Sequence, residues 1–136
     1  MLLYKTWARH RCHLNVPLPY TFPKSHRLHG PTAFAAVYDQ RVRDSRGPLT
    51  IYASRNSLPH CRLGLSVSRK VGSAVRRNRI KRQLREAFRL MQHDLPVGYD
   101  IIIVARAHPP LILADYQRLL SSMLIKLHKT WEAKSV

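Results

Sequence analysis

The chain has 136 residues, 45% of them hydrophobic, and carries 24 Lys and Arg against 7 Asp and Glu, a formal net charge of +17. That is one domain's length with enough apolar content for a core, so global disorder is excluded. A positive excess this large calls for a polyanion, and apolar runs such as Ile101 to Ala105 fall far short of the roughly 20 residues of a membrane-spanning helix.

Residues 1–21 are basic and punctuated by Pro17 and Pro19, and read as a mobile extension ahead of a domain over 22–130, with a short tail at 131–136. Lys5, Arg9, His10 and Arg11 interrupt any signal-peptide apolar segment. Gly30-Pro31 is a breaker, and Phe34, Val37, Tyr38 and Arg41 follow at helical spacing, which predicts a short helix over 31–41. "RDSRGP" (43–48) is turn-rich, with room for a short strand. "LTIYASR" (49–55) and "RLGLSVS" (62–68) each alternate an apolar face with a small or polar one. The short link between them predicts an antiparallel pair.

The main helix is expected over 74–92 with Ser73 as N-cap. At 100° per residue, Ile80, Leu84, Ala87, Phe88 and Met91 share one sector, while Asn78, Lys81, Arg82, Arg85, Glu86 and Arg89 share the opposite one. Val67, Val71 and Val75, just before that stripe, read as core too. "YDIIIVAR" (99–106) is apolar on both parities and so reads as a central strand. After Pro109-Pro110 a last amphipathic helix is predicted over 114–131, with Tyr116, Leu119, Leu120, Met123, Leu124 and Leu127 inward.

The seven acids are scattered over loops and separate elements, and none pair at the spacing of a two-metal nuclease site or an acid/base couple. The eight histidines fall mostly in loops, and Cys12 and Cys61 lack metal-ligand spacing and read as reduced thiols. There is no glycine-rich phosphate loop, so no catalytic residue and no metal ligand is assigned to this chain. What stands out is positive charge on a helix: Lys81, Arg82, Arg85 and Arg89, approached through Arg69, Lys70, Arg76, Arg77 and Arg79. Ordinary solvated faces mix signs, and here the density of cations points to phosphates. Phe34 and Tyr38, one turn apart, and Tyr52, on the polar parity of its strand, could stack unpaired bases.

Four segments, "FPKSHRL" (22–28), "FAAVY" (34–38), "GLSVSRKVGSAVRRNRIKRQLREAFR" (64–89) and "YDIIIVAR" (99–106), together resemble the bacterial ribonuclease P protein subunit. The resemblance implies an α/β (α+β) two-layer sandwich: about four strands packed on helices, in the order α-β-β-(β)-α-β-α. It also implies a left-handed β-α-β crossover, where the general rule is right-handed. It further implies a subunit of an endoribonuclease whose catalytic RNA, with magnesium ions, removes the 5′ leader of precursor tRNA. One protein per RNA and a cytoplasmic setting without membrane attachment are expected. By position, Arg77, Asn78 and Arg79 match the motif that faces the catalytic RNA, with Arg76, Lys81, Arg82 and Arg85 extending it. Phe34, Tyr38, Tyr52, Ser66, Ser68, Arg69 and Lys70 match the leader cleft. The alternative is a ribosomal-type RNA-binding protein with no role in cleavage, which would not need the aromatic cleft.

Overall fold

The computed structural model describes residues 22–109 and 111–134. The extension assigned to residues 1–21 lies outside the described residues. Gly30, at φ 87°, turns the chain into Pro31, whose fixed φ suits the first helical position, and α1 spans Pro31–Asp39. The helix stops short of the expected residue 41, where Arg41 takes a left-handed φ of 56°. β1 (Arg43–Arg46) turns through Gly47 into β2 (Leu49–Arg55), so the short strand in the 43–48 region is real. β3 (Arg62–Val67), α2 (Ala74–Met91), β4 (Tyr99–Ala105) and α3 (Leu113–Lys134) complete the chain.

The four strands form one sheet in the order β1-β2-β4-β3, antiparallel except for the β3–β4 pair, which is parallel. The expected hairpin between residues 49–55 and 62–68 is therefore corrected: β4 lies between the two strands. The reason is burial. β2 and β3 each have one strongly apolar parity, whereas β4 offers Ile101 and Ile103 to one face and Ile102 to the other, all at most 2% exposed. A strand apolar on both sides loses most by sitting at an edge, so it takes an interior position. Because β3 and β4 run parallel, α2 is the crossover that joins them.

One face of the sheet packs on α2 and α3. Leu49, Ile51, Ala53, Leu63, Ile101 and Ile103 meet Ile80, Leu84, Phe88 and Met91 of α2 and Tyr116, Leu120, Met123 and Leu127 of α3. The buried stripe of α2 is the one read from its periodicity. Val75 is the exception: it precedes the stripe on the first turn and is 80% exposed, so it is no core residue. The Ser73 hydroxyl caps α2 by accepting from the Arg76 amide at 3.3 Å. At the other end of the chain, residues 131–134 are not a tail but the last turn of α3, where Trp131 Nε1 donates to the Ala53 carbonyl at 3.0 Å. Beside it, Tyr99 and His128 share a hydrogen bond of 2.8 Å. Burial pushes the Tyr99 phenol up to about 12 and holds the His128 imidazole below its ordinary value.

The opposite face is only partly covered. Leu28, Val37 and Ile102 form a second, small core there under α1, with Phe34, Tyr38, Tyr52 and Val104 half-buried around it. The rest of that face stays open, and this asymmetry creates the cleft.

Candidate nucleic-acid interface

The cleft begins with strand parity. Tyr52 of β2, Ile102 of β4 and Gly64 of β3 lie in one row on the α1 face, and Thr50, Val104 and Ser66 form the next. α1 crosses the first row. The rings of Phe34 and Tyr38, one helical turn apart, have centroids 6.5 Å from each other, and Tyr38 meets Tyr52 edge-on at 4.7 Å. Gly64 explains how α1 comes so close: a Cβ built there would sit 2.6 Å from Phe34 Cζ, so the ring rests where a side chain would otherwise stand. Burial raises the Tyr38 phenol pKa, its hydrogen bond with Ser66 pulls the other way, and nearby Tyr52 adds a smaller push upward. Tyr38 therefore stays a neutral donor and acceptor at any ordinary pH. Arg43 reaches the Tyr52 hydroxyl at 3.4 Å, and the Ser45 and Thr50 hydroxyls bond at 2.9 Å. The product is a half-buried aromatic wall beside a hydroxyl-lined floor.

The fold thus brings together Phe34, Tyr38, Tyr52 and Ser66. Ser68, Arg69 and Lys70 are exposed just beyond the end of β3, the latter two in a single 3-10 turn, Arg69–Val71. They extend the strand that carries Ser66 and lie beyond the ring cluster.

On the other side of the sheet, Asn78, Arg79, Arg82 and Arg85 are exposed along α2, and Lys81 is half-buried. Two arginines of the first turn depart from that pattern. Arg76 Nη2 donates to the His108 carbonyl, and His108 is itself held by the Arg106 carbonyl and the Tyr116 hydroxyl, each at 2.7 Å. Arg76 therefore clamps the start of α2 to the loop after β4. Arg77 is half-buried, and its Nε is shielded from water without a hydrogen-bond partner. A shielded donor of that kind is costly until an acceptor meets it. At the far end, Arg89 is paired with Glu86, whose carboxyl is pulled down by that bond, so Arg89 is not among the cations left for a ligand.

Five of the seven acids are paired internally. Asp44 binds Lys126 at 3.0 Å, Asp100 binds Arg62 at 2.5 Å, Asp115 binds Arg118 at 2.8 Å and Glu132 binds Arg55 at 3.2 Å; Glu86 holds Arg89. Carboxylates so occupied do not fit a protein-held magnesium site, which needs oxygen ligands free to turn to the ion. Among the described residues no three His, Cys, Asp or Glu side chains come together as a metal site. Cys61 is buried and donates to the Pro96 carbonyl at 3.0 Å; Cys12 lies outside the described residues. No helix among the described residues is long and apolar enough to cross a membrane.

Sequence reasoning assigned no role to Phe22, Arg27 or Gly64. Phe22 and Arg27 lie in a segment with no periodicity of its own. The signal for Gly64 was available: a glycine within an otherwise regular strand marks a close approach.

Fold and surfaces together define a small, strongly basic α+β protein with an aromatic cleft on one sheet face and a cationic helix packed on the other. Residues 22–131 match the Ribonuclease P family profile, and the chain belongs to the ribonuclease P protein family. The "Ribonuclease P protein component" of Methylococcus capsulatus is 49% identical over 94 residues, which span 66% of this chain and 73% of that protein. The RNase P protein structure from Staphylococcus aureus superposes with a TM-score of 0.66 at 32% identity, covering 78% of this chain and 97% of that one. The one from Thermotoga maritima gives a TM-score of 0.65 at 27% identity, over 71% and 94% respectively. Both share the mixed four-stranded sheet with helices.

Proposed function

We propose that this chain is the protein subunit of ribonuclease P. It binds the catalytic RNA through α2 and the single-stranded 5′ leader of precursor tRNA in the cleft, and so aids magnesium-dependent endonucleolytic removal of the leader. The observation that carries this reading is the pairing of two unlike surfaces on opposite faces of one sheet. Arg79, Arg82, Arg85 and Lys81 sit on a helix whose other side is anchored in the core, so their charges are held at fixed spacings. Fixed charges meet the phosphates of a folded RNA in register, which a flexible basic tail cannot do. The Phe34–Tyr38–Tyr52 group presents ring faces and edges beside Ser66, which suits a strand whose bases are unpaired.

In this mechanism the protein performs no bond chemistry. Magnesium bound to the catalytic RNA would supply the hydrolytic chemistry, and no residue of this chain would hold it. The chain's own residues position the leader and neutralise phosphates, which lowers the repulsion that opposes RNA–RNA docking. The complex is expected to hold one protein per RNA and to work in the cytoplasm. The test is to incubate precursor tRNA in magnesium with the protein alone, with the catalytic RNA alone, and with both. Faster or tighter processing only in the combined reaction is expected. Cleavage by protein alone, or no effect of the protein on the RNA reaction, would reject the proposal; the latter result is what a ribosomal-type binder would give.

A further inference from the structure

β3 forms one edge of the sheet. Its start is covered by the segment ahead of α1, where the Leu28 amide donates to the Leu63 carbonyl at 2.9 Å. Past that bridge the edge opens into a pocket of about 190 Å³. Phe34 enters it from the α1 face, Leu65 from β3, Lys81 and Arg85 from α2, and Phe22 and Arg27 from the covering segment. The pocket therefore wraps the edge of the sheet, with the aromatic cleft at one end and the cationic helix at the other. At that volume the pocket is an open subsite for one planar ring, smaller than the roughly 300–1,000 Å³ of sites that enclose a whole drug-sized molecule.

Its chemistry is equally restrictive. Phe22 is fixed from behind by an edge contact with Phe88 at 6.2 Å, and the Arg27 guanidinium lies 5.5 Å from the Phe22 ring centroid. The ion pairs among the described residues use other cations, so Arg27, Lys81 and Arg85 converge there without acidic partners. Two aromatic rings plus three unmatched cations in so small a space select a ligand that is both flat and anionic. We propose that this pocket receives a single unpaired nucleotide of an RNA, its base against Phe22 and Phe34 and its phosphates on Arg27, Lys81 and Arg85. A base within a duplex cannot enter, and an apolar ligand would leave three cations desolvated and unpaired.

The inference rests on the proposed RNA-binding function and deepens it. A nucleotide seated between the cleft and the helix ties the two RNA surfaces to each other in register. The nucleotide comes either from the leader or from the catalytic RNA.

The experiment uses the full chain assembled with catalytic RNA. With p-azidophenylalanine in place of Phe22, irradiation should crosslink to one unpaired nucleotide. Crosslinking without substrate assigns that nucleotide to the catalytic RNA; crosslinking only when precursor tRNA is added assigns it to the leader. In parallel, Phe22→Leu and Arg27→Gln should each weaken binding of the RNA so identified. For Phe22→Leu the loss should be about 5- to 150-fold, the range expected for one stacked base, measured well below the variant's melting temperature because Phe22 also packs on Phe88. Arg82→Gln, on the exposed face of α2, serves as the control for RNA binding in general. Crosslinks to paired positions or none at all, with normal RNA affinity for both pocket variants while Arg82→Gln binds weakly, would overturn the pocket and leave the RNA-binding function standing. Normal affinity for all three variants would overturn both.

Discussion

Tyr38 and Tyr52 come from different elements yet their ring centroids lie 4.7 Å apart, and the leader-binding role proposed for the cleft rests on that contact. Tyr52→Ala should weaken the affinity of the assembled enzyme for precursor tRNA with a leader of several nucleotides by about 1–3 kcal/mol, as for one lost stacking partner. Affinity for mature tRNA should be unchanged. Dissociation constants for both RNAs at fixed magnesium decide the matter, and an equal loss for the two would mean that the ring supports the fold or the catalytic RNA instead. The arginines at the start of α2 divide in the same manner. Arg79 is exposed on α2, so Arg79→Ala should weaken assembly with the catalytic RNA with little change in melting temperature. Arg76 is tied to the His108 carbonyl, so Arg76→Ala should lower stability by about 1 kcal/mol and affect RNA affinity less. A thermal melt and a binding isotherm on each variant separate the roles; the reverse outcome would exchange them.

At the scale of elements, α2 buries one side in the core and presents Arg79, Arg82 and Arg85 to solvent on the other. Ile80→Ala or Phe88→Ala should cost about 2–5 kcal/mol by leaving a cavity, since both are at most 4% exposed between α2 and the sheet. The packing of α1 on β3 is more selective. Gly64→Ala places a methyl group 2.6 Å from Phe34 Cζ, so the ring must move away from the strand. The expected result is a loss of about 1–3 kcal/mol, together with weaker leader binding, because Phe34 is both packing and cleft wall. Denaturant melts and leader-dependent affinity should fall together; a variant that loses neither would show that α1 is free to slide on the sheet.

For the whole molecule, electrostatics dominate. Most carboxylates are already matched by internal cations, and the remaining positive excess faces solvent. With about six phosphates neutralised, the affinity for catalytic RNA should fall with salt at a log–log slope of about −4 to −5. A slope shallower than about −2 would mean that phosphate contacts do not dominate. Stability should also depend on pH, with a definite sign. Burial holds His128 below its ordinary value of 6.5, with Glu132 partly offsetting this, and His26 is lowered by burial and by neighbouring His60. The unfolded chain then takes up protons first on acidification, so stability present above pH 6.5 is lost as the pH falls through the lowered native values. Melting temperatures should decline on the acid side, and His128→Gln should flatten part of that decline. An identical slope in the variant would place the dependence in other groups.

Periodicity alone was enough to identify the inward stripe of α2, the interior character of β4 and the density of cations on α2. Each follows from spacing along the chain, because a helix or a strand projects its own residues in a fixed order. The same reasoning misjudged what depends on neighbours in space. It paired residues 49–55 with 62–68, because a short link suggests a hairpin, and could not see that β4 would claim the place between them to bury both its faces. It placed Val75 in the core, did not foresee that Arg76 bonds the His108 carbonyl, and gave no role to Phe22 or Arg27. The side chains that meet at the β3 edge come from the segment before α1, from α1, from β3 and from α2. No local pattern links them. Only the parallel pairing of β3 with β4, and the approach of α1 over Gly64, set these four stretches side by side.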